Sequence, residues 1–205
     1  MNELLAQLFS SRLRAAVLGH MLTRPHLRFS LTELSRALGL PVSSLQHECY
    51  KLERVGVLMG RREGNSRRYR LDSSCVVLPE LTALVVAAVG QEASLRATLE
   101  DVDGLQAAFL DKLLPYYEGG DGAPSSSEPI ALVLIGEVGL EEIEAVQERV
   151  AALLGLPPNR LEAVFYRPSE WASRLEQGSS YAVGLITNAR TDLVGDPTIS
   201  PAPST

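Results

Sequence analysis

The chain has 205 residues, a hydrophobic share of 45% and a formal net charge of −6. That length can bury one large core or two small ones, and two cysteines are too few for a disulfide-built scaffold. A net charge of −6 spread evenly would disfavour a nucleic-acid partner, but residues 1–75 hold twelve Lys/Arg against six Asp/Glu while residues 76–205 hold seven against nineteen. A basic front (+6) and an acidic back (−12) point to two modules with different partners. The N-terminus, Met1-Asn2-Glu3-Leu4, lacks the basic start of a signal peptide, and the most apolar run, Leu81 to Val89, is too short to span a bilayer. A cytoplasmic protein with no membrane partner is expected.

Leu4, Leu5, Leu8 and Phe9, then Leu13, Val17 and Met21, form an apolar stripe over one or two helices that Pro25 stops. His20 and His26 have no Cys or carboxylate at ligand spacing and read as scaffold or surface residues. Arg28-Phe29-Ser30 can form a short strand. Ser30 then caps a helix, Glu33 reaches back to close a capping box, and Phe29 with Leu34 forms a hydrophobic staple. Gly39 stops this helix, and Pro41 opens a second one, Pro41–Val55, that Gly56 ends. Leu45, Cys49 and Leu52 give its buried stripe, which leaves Ser43, Ser44, Gln46, His47, Tyr50 and Lys51 off it. Cys49 reads as a buried thiol. Val57–Met59 and Tyr69–Leu71 read as strands around a Gly64-Asn65 turn, with Arg61, Arg62, Arg67 and Arg68 at the tip. This is a helix-turn-helix followed by a wing.

Over residues 8–72 the sequence resembles winged-helix repressors of the ArsR/MarR type. The residues that carry the likeness are Glu33-Leu34-Ser35-Arg36-Ala37-Leu38-Gly39-Leu40, Lys51-Leu52-Glu53-Arg54-Val55-Gly56-Val57-Leu58 and Gly64-Asn65-Ser66-Arg67-Arg68-Tyr69-Arg70-Leu71. Pro41 and Cys49 depart from the usual cap and the usual Leu, and the Cys and His pairs of metal-sensing relatives are not evident. The resemblance implies a homodimeric transcriptional regulator that reads double-stranded DNA. Ser43, Ser44, Gln46, His47 and Lys51 would stand near base edges or flanking phosphates, with Arg61, Arg62, Asn65, Arg67 and Arg68 on the backbone or in the minor groove. The alternative is that the winged helix is a protein-interaction module.

A helix from Leu78 to about Val89 and another over Leu95–Asp101 connect the modules. Leu81, Leu84, Val85 and Ala88 either pack on the winged helix or join two subunits. Behind them come strands at Leu105–Leu110 and Ile130–Ile135, a Gly/Ser-rich loop at Glu118–Ser127, and a helix at Leu140–Leu154. That helix buries Ile143, Val146, Val150 and Leu153 and turns Glu141, Glu142, Glu144 and Glu148 to water. A strand at Leu161–Tyr166, a helix from Pro168 to near Gln177 that Ser169 could cap, and a last helix or strand within 183–194 follow. Three prolines mark a disordered tail.

With Val133-Leu134-Ile135-Gly136-Glu137-Val138, Phe165-Tyr166-Arg167-Pro168-Ser169-Glu170-Trp171 and Leu193-Val194-Gly195-Asp196, this part resembles a minimal nucleotidyltransferase of the DNA-polymerase-β type. Active members need a Gly-Ser turn and an Asp-x-Asp pair for two Mg²⁺. Here Asp111-Lys112-Leu113 and Pro129-Ile130-Ala131 stand in those places, with Asp121 and Glu128 as stray carboxylates. The expectation is therefore an α+β chain. It comprises a winged helix-turn-helix (1–75), connecting helices (76–104), a small α/β nucleotidyltransferase-like domain without its catalytic motifs (105–196) and a tail (197–205). No catalysis, no metal and no cofactor are expected, and a pocket kept without the chemistry would take a nucleotide as effector. The alternative is a nucleotidyltransferase with a rearranged metal site.

Overall fold

The computed structural model describes residues 2–115 and 129–198. The chain divides into two compact units, Met1–Gly90 and Gln91–Thr205. The connecting stretch is shared between them, its first helix belonging to the first unit and its second to the second. The Gly/Ser-rich loop with Asp121 and Glu128, and the tail from residue 199, lie outside the described residues.

The first unit runs α1 (Glu3–Leu8), α2 (Arg12–Leu22), β1 (Phe29–Ser30), α3 (Leu31–Leu38), α4 (Val42–Arg54), β2 (Leu58–Glu63), β3 (Ser66–Leu71) and α5 (Leu78–Val89). Its antiparallel sheet has the order β1-β3-β2. Local chemistry sets these bounds. Ser30 Oγ accepts from the Glu33 N–H while the Glu33 carboxylate accepts from the Ser30 N–H at 2.7 Å, completing the capping box. Phe29 and Leu34, the staple pair, are both buried in one core with Leu18, Leu22, Leu45, Cys49 and Leu52. Gly39 ends α3 at φ +65°, where a side chain would strain the backbone. Pro41 does not open α4 from within. It stands one residue before it with extended ψ 137°, and its carbonyl accepts from Leu45 N–H.

The hairpin is longer than the apolar pattern predicts. Both strands extend through the arginines to a two-residue turn in which Gly64 has φ +60° and Asn65 a negative φ, the pattern of a type II′ turn. Arginine suits the exposed end of a ladder, since its polar head stays in water while backbone pairing continues beneath it.

Helix α5 closes this unit. Leu81, Val85 and Ala88 pack on its core, so three of the four residues weighed as a subunit joint are consumed internally and Leu84 stays exposed. Glu48 on α4 is buried where the pattern alone suggests a solvent position. Its Oε1 accepts from Arg14 Nε of α2 at 2.7 Å, so a charge-assisted bond ties the two helices across the core edge.

The second unit contains α6 (Gln91–Leu99), β4 (Leu105–Leu110), β5 (Ile130–Gly136), α7 (Leu140–Leu154), β6 (Leu161–Tyr166), α8 (Pro168–Glu176), α9 (Ser180–Thr187) and β7 (Thr191–Val194). Its sheet order is β6-β5-β4-β7, with β5 and β6 parallel and joined through α7. Every residue of β5 is buried, as expected for a central strand covered on both faces. Ala107, Phe109, Val133, Ile135 and Tyr166 meet Trp171 of α8 and Ala182 and Leu185 of α9 on one face. Alternate residues, Ala108, Leu110, Leu132 and Leu134, supply the other.

Several expectations for this unit are corrected. Helix α6 begins at Gln91 rather than Leu95, and residues 183–194 hold both a helix end and a strand. Ser169 lies inside α8, where Pro168 takes the first-turn place that needs no N–H partner and Arg167 stands at the cap, so Ser169 caps nothing. The tail begins in order, because Pro197 is buried and its carbonyl accepts from Trp171 Nε1–H at 2.8 Å. Among the described residues no helix is long and apolar enough to cross a membrane.

The Arg14–Glu48 bond yields a test of the first unit. Arg14→Met strands a buried carboxylate and is expected to cost about 3 kcal/mol in urea unfolding, with partial recovery when Glu48→Leu is added.

Candidate nucleic-acid interface

Helix α4 presents one uninterrupted outer stripe. At 3.6 residues per turn, Ser43, Gln46, His47, Tyr50 and Arg54 fall within an arc of about 100° opposite Leu45, Cys49 and Leu52. All five are exposed. They offer a hydroxyl, an amide, an imidazole, a phenol and a guanidinium, a mixture of donors and acceptors of the kind that reads base edges. Arg54 lies 6.0 Å over the Tyr50 ring, so the two side chains support each other.

Two residues expected on this surface are placed otherwise. Ser44 is half-buried at the edge of the stripe, where the helix turns toward the core. Lys51 is exposed but its Nζ lies 4.0 Å from the buried Glu48 carboxylate, which draws it toward the scaffold. Tyr50 is the residue that polarity-based selection passes over, and Arg54 lies beyond the residues expected on this surface. The i, i+3, i+4, i+7 spacing from Ser43 to Tyr50 is the signal that finds Tyr50, and Arg54 follows one turn later.

The wing meets this helix across a shallow groove of about 530 Å³ lined by Ser43, Gln46, His47, Tyr50, Glu53, Arg67 and Tyr69. Strand alternation sorts its arginines. Leu58↔Leu71, Gly60↔Tyr69 and Arg62↔Arg67 are cross-strand pairs on the face toward the core and α4. Met59↔Arg70, Arg61↔Arg68 and Glu63↔Ser66 are pairs on the opposite face. The four tip cations therefore do not form one cluster. They split two and two between opposite faces of the ribbon.

They also divide by partner. Arg67 Nη2 meets Glu53 Oε1 at 2.5 Å, and the same oxygen accepts from Gly60 N–H at 3.2 Å. This bond holds the Arg67 proton more firmly than usual, the bonded carboxylate being the first cause. A Cβ at Gly60 would stand 2.6 Å from Arg67 Nε and 2.9 Å from Glu53 Oε1, so the bridge crosses a space only glycine leaves open. Arg68 Nη2 lies 2.8 Å from both oxygens of Glu33 and 2.9 Å from the Arg28 carbonyl. Arg61 and Arg62 have no carboxylate partner among the described residues, although Arg62 Nε approaches the Gly64 carbonyl at 3.4 Å. Asn65 is exposed at the turn.

Behind this surface the Cys49 thiol is fully buried, and burial pushes its pKa up to about 12 with Glu48 and Glu53 adding to the effect. Such a thiol is packing, not a nucleophile. His20 packs against Phe29 with ring centroids 4.9 Å apart and planes tilted by 55°, in keeping with a scaffold role. In the second unit the Asp111 carboxylate accepts from Ala131 N–H at 2.9 Å, and Glu141, Glu144 and Glu148 lie on the exposed side of α7 while Glu142 pairs with Arg149 at 2.7 Å. Among the described residues no group of three His, Cys, Asp or Glu is close enough to hold a metal ion.

No family model and no curated protein matches the sequence. The solved structures that are similar over part of it include these two. One is reduced HlyU from Vibrio cholerae, 26% identical over 42% of this chain and 81% of that one, with a TM-score of 0.33. The other is Rv0081 of M. tuberculosis, 26% identical over 41% of this chain and 77% of that one, with a TM-score of 0.32. At superposition scores this low, the functional assignment stands on the chain's own geometry.

Glu33 is held below its ordinary pKa of 4.5, chiefly by the Ser30 backbone N–H, with Arg68 contributing. The unfolded chain therefore takes up this proton first as the pH falls. The contribution to stability is complete above about pH 4.5 and is lost as the pH drops through the lower native value. Glu33→Gln is expected to cost less than about 1 kcal/mol near neutral pH, as exposed pairs do, and this gap to wild type should close in acid unfolding titrations.

Proposed function

We propose that the first unit binds double-stranded DNA through α4 and the wing, and that the chain is a transcriptional regulator. The observation that carries this reading is the convergence of four exposed hydrogen-bonding side chains of α4, Ser43, Gln46, His47 and Tyr50, with Arg67 on one open groove, where the Glu53 carboxylate is drawn into an internal bond with Arg67. A major groove about 12 Å wide admits a helix. In that pose Ser43, Gln46, His47 and Tyr50 stand nearest the base edges, and Arg54 and the wing arginines meet phosphates.

Pairing of two chains would place two recognition helices on a pseudo-palindromic site. What supports a homodimer is the exposed Leu4 and Leu8 of α1 and Leu84 of α5, on helices that touch each other, with Asn2 Nδ2 donating to the Ala88 carbonyl at 2.5 Å. Leu84→Asp is expected to shift the sedimentation of the protein toward monomer, and an unchanged dimer would place the joint elsewhere.

For the second unit we favour a nucleotidyltransferase-like module that acts as a sensor or a dimerisation body rather than as an enzyme. In its support, Pro129 just before β5 and Ile130 and Ala131 at its start stand where metal-binding carboxylates would be needed, and Asp111 is engaged by a backbone N–H. A nucleotide at 100 times its Kd would raise stability by about 2.7 kcal/mol, so a thermal-shift panel tests for an effector. Label transfer from a nucleoside triphosphate to an acceptor would reverse the assignment.

The DNA reading is tested by titrating a duplex at rising salt. With about six to eight phosphates neutralised by a dimer, log K should fall against log[salt] with a slope of roughly −5 to −7. Gln46→Ala, His47→Ala and Tyr50→Ala should each reduce discrimination between sites by about 1–3 kcal/mol with little change of slope. Absence of duplex binding at low ionic strength would refute the reading.

A further inference from the structure

The hairpin face turned away from α4 carries its own basic recess, about 220 Å³ in volume, lined by Arg28, Met59, Arg61, Glu63, Arg68 and Arg70. Its four guanidiniums face two carboxylates. Arg28 Nη1 is bonded to Glu63 at 2.7 Å, and Arg68 to Glu33 at 2.8 Å, so these two arginines are fixed as a frame. Arg61 and Arg70 are different. Neither has a carboxylate within bonding distance among the described residues, and Arg70 Nη2 rests 3.4 Å from the Met59 sulfur. They are diagonal neighbours on adjacent strands, within reach of one ligand the size of a phosphate. The fixed pair behind them leaves donors to spare, since a guanidinium has five N–H groups.

We infer that this outer face is a second phosphodiester-binding surface, with Arg61 and Arg70 holding the phosphate, so that the wing grips the nucleic-acid backbone on both of its faces. The inference rests on the duplex-binding reading and extends it. Arg62 and Arg67 point to the α4 side of the ribbon, and Arg61 and Arg70 to the other, so the two sets cannot reach the same phosphate. The minor groove, about 6 Å wide, is bounded by both strands of a duplex. A hairpin presented edge-on to that groove meets one row of phosphates on each side, which uses both sets together. A wing lying flat on a single strand uses only one.

The test is the salt dependence of duplex binding by the full chain carrying Arg61→Gln with Arg70→Gln, beside Arg62→Gln and the triple variant. Each phosphate no longer neutralised should make the slope shallower by about 0.9, so the double variant, which releases one phosphate, is expected to lose about 0.9 per protomer, or roughly two units for a dimer. Its drop in log K should add to that of Arg62→Gln, because separate phosphates are involved. Lysine at both positions should restore most of the slope, since charge rather than the hairpin scaffold is at issue. If the wild type binds and the double variant keeps its slope, or if the two drops fail to add, or if lysine fails to rescue, the second surface is refuted while duplex binding stands. A wild type that ignores the duplex refutes both.

Discussion

Two carboxylates hold the wing to the helices, and the geometry of the basic surface depends on them. Glu33 is the third residue of α3 and closes its capping box, yet both of its oxygens also receive Arg68 from the hairpin. Glu53 is in the last turn of α4 and receives Arg67 and the Gly60 N–H. Each helix of the pair is thus fastened to the same strand, β3, by a charge-assisted bond. These ties add to the buried Leu58, Tyr69 and Leu71 at the base of the hairpin, the pairing of β1 with β3 and the Arg28–Glu63 bond near its tip. The ties lie at the surface, where ion pairs contribute little to stability. Their effect is on position, which a surface that reads a fixed helical lattice requires.

The same bonds separate cations that fold from cations that face outward. Counted along the chain, Arg61, Arg62, Arg67 and Arg68 are equivalent. In the fold Arg67 and Arg68 are partly neutralised by their partners, and Arg61 and Arg62 keep their full field. The basic front of the chain is therefore less basic at its working surface than its composition states. The residues that retain free charge are fewer and more evenly placed around the hairpin.

Much of the first unit is legible in the sequence because its signals are local. Ser30, Glu33, Phe29, Leu34 and Gly39 act on neighbours within one or two turns, and each does in the fold what its position predicts. The buried stripe of α4 is equally plain from Leu45, Cys49 and Leu52. Glu48 escapes that pattern because its burial depends on Arg14, a residue 34 positions earlier. The wing arginines escape it for the same reason, since neither strand pairing nor a carboxylate on a distant helix leaves a mark in composition. Tyr50 is legible by helical phase but not by polarity, which ranks an aromatic ring as core material, and Arg54 follows from the same phase one turn later. In the second unit the alternation of strands and helices is clear, whereas the order of Pro197 depends on a single indole N–H that no local pattern announces.

The pairing of β2 with β3 has a further consequence. Side chains alternate from face to face with a period of two, so a shift of the register by a single residue would carry each arginine to the wrong side. Leu58, Tyr69 and Leu71 prevent it, because the slip that exchanges the charges would also lift three buried side chains into water. Oil at the base of the hairpin thus acts as the key that orients electricity at its tip, and the accuracy of the charged surface is inherited from the core beneath it.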